Sequence, residues 1–102
     1  MRITFIDNGT GTPAGKLADC ELHFDTGDFA GLKLIGFAIW ERRNSQDLNV
    51  TFPSRQYSVN GERRSFALLR ATGGDIDGTK SLRDAIVQAY QDHRLTTEAI
   101  GV

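Results

Sequence analysis

NVTFPSRQYSVNGERRSFALLR, from Asn49 to Arg70, decides how the rest of the chain is read. Val50 and Phe52 alternate with Asn49 and Thr51, the period of a strand whose one face is buried. Pro53 has no N–H to give to a ladder, so that strand ends there or lies at an edge. Tyr57 and Val59 then lead into Asn60-Gly61, the strongest short hairpin signal, because both residues accept the positive φ of a type I′ turn. The return strand, Arg63 to Arg70, places Phe66 and Leu68 on one face and Ala67 and Leu69 on the other.

Upstream, Arg2 to Ile6 reads as a short strand and DNGTGTPAG (7–15) as a loop dense in Gly, Thr and Pro. The loop ends in Gly15-Lys16, but a phosphate-binding loop would need a Gly where Thr10 stands and a Ser or Thr where Leu17 stands. It would also need a helix where a strand follows. In Leu17 to Phe24, Ala18, Cys20, Leu22 and Phe24 share one face and Asp19, Glu21 and His23 the other. Phe29 to Glu41 is apolar on both faces. Leu32, Leu34, Ala38 and Trp40 alternate with Ile35, Phe37 and Ile39, and the latter three form the expected dimer interface. Gly31 and Gly36 mark a bulge or a close backbone approach.

Downstream, ATGGDIDG (71–78) is a loop. Ser81 is the expected helix cap, with Asp84 three residues on. Leu82, Ala85, Ile86, Ala89, Tyr90 and His93 form one apolar stripe on a helix of about 13 residues, with His93 at the rim near its C-terminal end. The last eight residues are expected to be loosely held. The order of strands and then one helix predicts an α+β fold: an antiparallel β-sheet meander followed by one C-terminal α-helix packed on the sheet.

The 102 residues suit a single domain with a modest core. No apolar run is long enough to cross a bilayer, and MRITFIDNGT lacks the apolar segment of a signal peptide. The single cysteine, Cys20, forms no internal disulfide, so a reducing cytoplasm is the expected compartment. It reads as a buried hydrophobe and not as a nucleophile. His23 and His93 lack partners at metal-ligand spacing, and Asp75 and Asp77 lack the further acids of a calcium loop. No catalytic constellation and no cofactor loop stand out, so neither an enzyme nor a small-molecule substrate is expected.

Net charge is −1 but unevenly spread. Residues 1–39 hold three basic and five acidic side chains, whereas residues 42–70 hold six arginines against Asp47 and Glu62. A local basic patch is what a nucleic-acid surface requires, although charged edge strands also guard against aggregation. The candidate phosphate-binding residues are Arg42, Arg43, Arg55, Arg63 and Arg64, with Lys80 and Arg83 at the helix start, where the dipole also favours an anion. Tyr57 is a candidate for base stacking, against the plainer role of an apolar strand residue.

Phe52-Pro53-Ser54-Arg55, the turn Asn60-Gly61-Glu62, a following strand and a helix reaching Ala85-Ile86-Val87-Gln88-Ala89-Tyr90 together resemble the SpoVG family of small bacterial regulators. That family's pattern has Met-Pro-Ser-Lys/Arg, an Asp-Gly turn and a final helix closing on valine and tyrosine. Asp25, Phe29 and the strand GLKLIGFAIWERRN also fit, and the resemblance spans roughly residues 17–94. Phe52 stands in place of the family's Met, Ser65-Phe66-Ala67-Leu68-Leu69 in place of a more polar stretch, and the 73–78 loop is acidic where members are often basic. Residues 1–16 match poorly. The resemblance implies a single SpoVG-like domain over 1–102. It implies a homodimer whose sheet pairs across subunits, one that binds DNA or RNA and modulates gene expression, cell division or septation. The alternative is a non-catalytic protein-interaction or assembly module.

Overall fold

The computed structural model describes residues 1–42 and 47–101. Among these residues, six strands precede one helix: β1 (Arg2–Asp7), β2 (Lys16–His23), β3 (Lys33–Glu41), β4 (Leu48–Thr51), β5 (Ser54–Val59), β6 (Glu62–Ala67) and α1 (Gly78–Gly101). β1 to β4 form an antiparallel meander in chain order, and β5 and β6 form a separate two-stranded sheet. The α+β arrangement expected from the sequence is the one found. Among the described residues, no helix is long and apolar enough to cross a membrane.

The core lies between one face of the four-stranded sheet and α1. Ala18, Cys20 and Leu22 of β2 alternate into it, flanked by Phe37, Ile39 and Val50. From the helix, Ile86 is fully buried and Tyr90 nearly so. Burying a side chain such as Ile86 contributes roughly 1.5–3 kcal/mol. Leu82, Ala89 and His93 complete the stripe, but Ala85 is exposed and Val87 is half-buried against the core in its place. Phe5 of β1 meets Tyr90 edge-on at 5.2 Å between ring centroids, so the helix spans the sheet as far as its first strand.

One irregularity sets the phase of β3. Leu22 pairs with Leu34 and Cys20 with Phe37, so Ile35 and Gly36 together oppose Glu21. This is a β-bulge, as the glycine suggested. It turns Leu34 onto the same face as Phe37 and Ile39, where strict alternation had put it on the opposite one. Gly36 has φ +107°, and a Cβ there would lie 3.1 Å from Cβ of Pro53.

The helix differs from expectation at both ends. Its cap is Asp77, not Ser81. The Asp77 carbonyl accepts the Ser81 N–H at 3.1 Å, and its Oδ1 accepts the Lys80 N–H at 3.1 Å and the Thr79 hydroxyl at 2.8 Å. Both side chains fit the cap pattern. Asp77 wins because its carboxylate follows the last loop glycines and reaches the third helical N–H. The helix continues to Gly101, so His93 lies well inside it. His93 packs beside Phe5, with ring centroids 5.2 Å apart, and its Nε2 lies 3.1 Å from the Asp7 carboxylate.

The Thr79 hydroxyl and then the Lys80 N–H hold the Asp77 carboxyl below its ordinary value of 3.8. A depressed carboxyl adds stability that is present above pH 3.8 and is lost as the pH falls through the folded-state value. Asp77→Ala should therefore lower the melting temperature at pH 7 and shrink the difference between wild type and variant near pH 2. Thermal melts at the two pH values check this, and an equal deficit at both would remove the charge from the account.

Candidate nucleic-acid interface

Seven cations were singled out by charge, and the structure separates the six of them that lie among the described residues into two places. The first is the β5–β6 hairpin. Asn60 and Gly61 have φ of 52° and 80°, the paired positive values of the predicted tight turn. Every residue of both strands is exposed. Arg55 stands opposite Phe66, Tyr57 opposite Arg64 and Val59 opposite Glu62. Directly paired residues share a face, so one face carries Arg55, Arg64, Tyr57, Val59 and Phe66. Arg63 pairs with Ser58 and lies on the other face. There Gln56 donates to both Ser54 and Ser65 at 3.3 Å.

Sequence reading missed Arg70. Its guanidinium lies 4.1 Å from the centroid of the Phe66 ring, and its Nε donates to the Ala67 carbonyl at 2.9 Å. The signal was present in the sequence: an arginine closing a basic return strand, two turns of the pleat beyond Phe66. The structure gives this hairpin four guanidinium groups against one carboxylate, Glu62, which sits 3.4 Å from Arg64.

The second place is the start of α1 with the end of β3. Arg42 and Arg83 line an open groove of about 390 Å³, together with Asp47, Asp84, Gln88 and Gln91. Both signs of charge are present, so the groove is not an anion site by charge alone. Lys80 is paired to Asp84 at 3.0 Å, one helical turn on. Arg83 lies over the Phe52 ring at 5.1 Å. The expected pull of the helix N-terminus on a phosphate meets an occupant, because the Asp77 carboxylate already accepts the Lys80 N–H. Arg43 lies outside the described residues.

Of the residues expected at a dimer interface, Phe37 and Ile39 are buried inside the single chain, packed with Cys20, Val50 and Ile86. The bulge at Gly36 and the helix above the sheet explain this correction: the face that looked spare is the face α1 covers. Ile35 is exposed. Cys20 is buried as expected. Burial, reinforced by the charge of neighbouring Glu21, pushes its thiol up to about 11, so the reactive thiolate is scarce at neutral pH.

Comparison of the chain with protein-family models, with characterised proteins and with solved structures returned no match.

Proposed function

We propose that this chain is a small, non-catalytic nucleic-acid-binding regulator, working in the cytoplasm, whose main phosphate contacts come from the β5–β6 hairpin. The observation that carries this reading is the set of three arginines on one exposed hairpin, with Arg70 just beyond it stacked on Phe66 and a single carboxylate, Glu62, among them. Guanidinium groups on long stems reach phosphates bidentately from either face of a ribbon. The resemblance to SpoVG regulators points the same way, towards control of gene expression or of division and septation in a bacterium. Arg42 and Arg83 form a secondary contact zone, and Lys80 is tied to Asp84.

The test is fluorescence anisotropy with single-stranded RNA, single-stranded DNA and duplex DNA over a range of salt. Saturable binding that weakens linearly on a log–log salt plot is expected. Replacing Arg55, Arg63 and Arg64 by Ala should lower that slope by roughly 2 to 3, since each lost phosphate contact removes about 0.7 on single strands and about 0.9 on duplex. No binding to any of the three at low salt would overturn the reading. A protein-interaction module would then be favoured by Tyr57, Val59 and Phe66, the apolar residues on the hairpin face that carries Arg55 and Arg64.

A further inference from the structure

The two faces of the β5–β6 hairpin differ in chemistry. One carries Ser54, Gln56, Ser58, Arg63 and Ser65, with Gln56 hydrogen-bonded to two of the serines. The other is a small checkerboard. Arg55 stands opposite Phe66 on one rung, and Tyr57 stands opposite Arg64 on the next rung of that face. The two rings therefore lie on one diagonal and the two guanidinium groups on the other. Tyr57 is 40% exposed, and Phe66 is still 48% exposed with the Arg70 guanidinium over its ring. Val59 and Glu62 form the last rung before the turn, where Glu62 lies 3.4 Å from Arg64. Among the described residues, no third strand pairs with the hairpin.

Rings interleaved with cations match a ligand in which flat π-faces alternate with negative charge, which describes a nucleic-acid strand with its bases unpaired. Diagonal neighbours on such a ribbon stand roughly 7–8 Å apart. That is about twice the 3.4 Å per nucleotide of a stacked strand, so rings at this spacing suit bases splayed apart. A duplex offers the wrong surface to this face. A two-stranded ribbon fits the major groove, but the bases there present only their edges. Tyr57, Val59 and Phe66 would meet donors and acceptors that they cannot satisfy. The opposite face, with Gln56 and Arg63, holds the groups that read base edges.

We infer that the Tyr57–Phe66 face of the hairpin is a stacking platform for unpaired bases, and that its occupant is single-stranded nucleic acid in preference to duplex. Tyr57 receives one base and the Phe66–Arg70 pair another, because aromatic rings and guanidinium planes both stack on bases. Arg55 and Arg64, on the other diagonal, reach the flanking phosphates. Charge agrees: Arg55, Arg64 and Arg70 stand on or beside this face against Glu62 at its far rung. The inference rests on the nucleic-acid reading and adds to it the state of the strand and the side chains that hold its bases.

Anisotropy titrations at one salt concentration test it. The probes are mixed-sequence single-stranded DNA and RNA, the DNA duplex, and an abasic DNA strand of the same length, which keeps the phosphates and lacks the bases. The single strands should bind more tightly than the duplex. The abasic strand should bind at least about 30-fold more weakly than the natural one, the scale of two stacked bases. That comparison uses the wild-type chain and depends on no variant. Tyr57→Leu and Phe66→Leu keep an apolar strand residue and remove the ring. Each should weaken single-strand binding about 5-fold or more, with an unchanged salt slope, since no phosphate contact is lost. Tyr57→Phe should bind like wild type. Both positions are exposed, so the far-ultraviolet circular dichroism of the variants should match wild type. Equal binding of the abasic and natural strands, or a duplex bound as tightly as a single strand, would overturn the platform and leave the nucleic-acid reading standing. So would leucine variants that bind normally, or a Tyr57→Phe loss equal to that of Tyr57→Leu. Binding to none of the probes at low salt would overturn both.

Discussion

Phe37→Ala should cost about 3–5 kcal/mol of folding stability, the usual range for deleting a fully buried aromatic ring. Phe37 is 1% exposed, pairs with Cys20 across β2 and β3, and meets Phe52 edge-on at 5.4 Å. The ring shares its buried cluster with Cys20 on the paired strand and with Ile86 of the helix, and its neighbour Phe52 has the Arg83 guanidinium over it. The methyl of alanine fills none of that space, and the β-sheet beneath cannot collapse far to close the cavity. Because a domain of this size is stable by only about 5–15 kcal/mol, the loss is a large part of the total. The melting temperature should fall by roughly 20 °C, at several degrees per kcal/mol. Ile6→Ala is the control: Ile6 is exposed on the edge strand, and such a surface change should stay within about 0.5–1 kcal/mol. Chemical denaturation at one fixed protein concentration measures both. A Phe37→Ala cost below about 1 kcal/mol would contradict the placement of this ring under the helix.

Gly36→Ala should cost about 2–4 kcal/mol, from two sources that a second variant separates. The first is backbone strain at φ +107°, of order 1–3 kcal/mol for a residue with a side chain. The second is crowding, because the new Cβ would stand 3.1 Å from Pro53 Cβ. That atom belongs to a rigid ring at the base of the hairpin, and relief requires the backbone to move. Gly31 has φ +88°, and a Cβ there would meet nothing within 4 Å. Gly31→Ala therefore meets strain without crowding. Denaturation of both variants should show Gly36→Ala to be the more damaging by about 1 kcal/mol or more. Equal losses would mean that Pro53 yields freely, and that the bulge does not position the hairpin.

That bulge explains much of what alternation alone misplaced. Period-two reading of β3 treats the strand as one uninterrupted ladder, and a single extra residue reverses the facing of everything on one side of it. Leu34 thus joined Phe37 and Ile39, and two residues assigned to a subunit contact became core. Arg63 and Arg64 teach a different lesson. Grouped by charge they looked like one site, yet neighbours on a strand point to opposite faces, and this was legible in the sequence from the moment the hairpin was recognised.

By itself the sequence determined the meander, the Asn60-Gly61 turn, the inward face of β2 and the helical stripe from Leu82 to Tyr90. These rest on local periodicity and on the φ preferences of a few residues, and both are properties of short segments. The tertiary structure decided which face of β3 the helix covers, that Asp77 and not Ser81 caps it, and that the β5–β6 hairpin leaves the sheet at Pro53 with both faces exposed. Those outcomes depend on which segments meet across long sequence separations. A pattern of alternating residues says that a face must be buried, and only packing says against what.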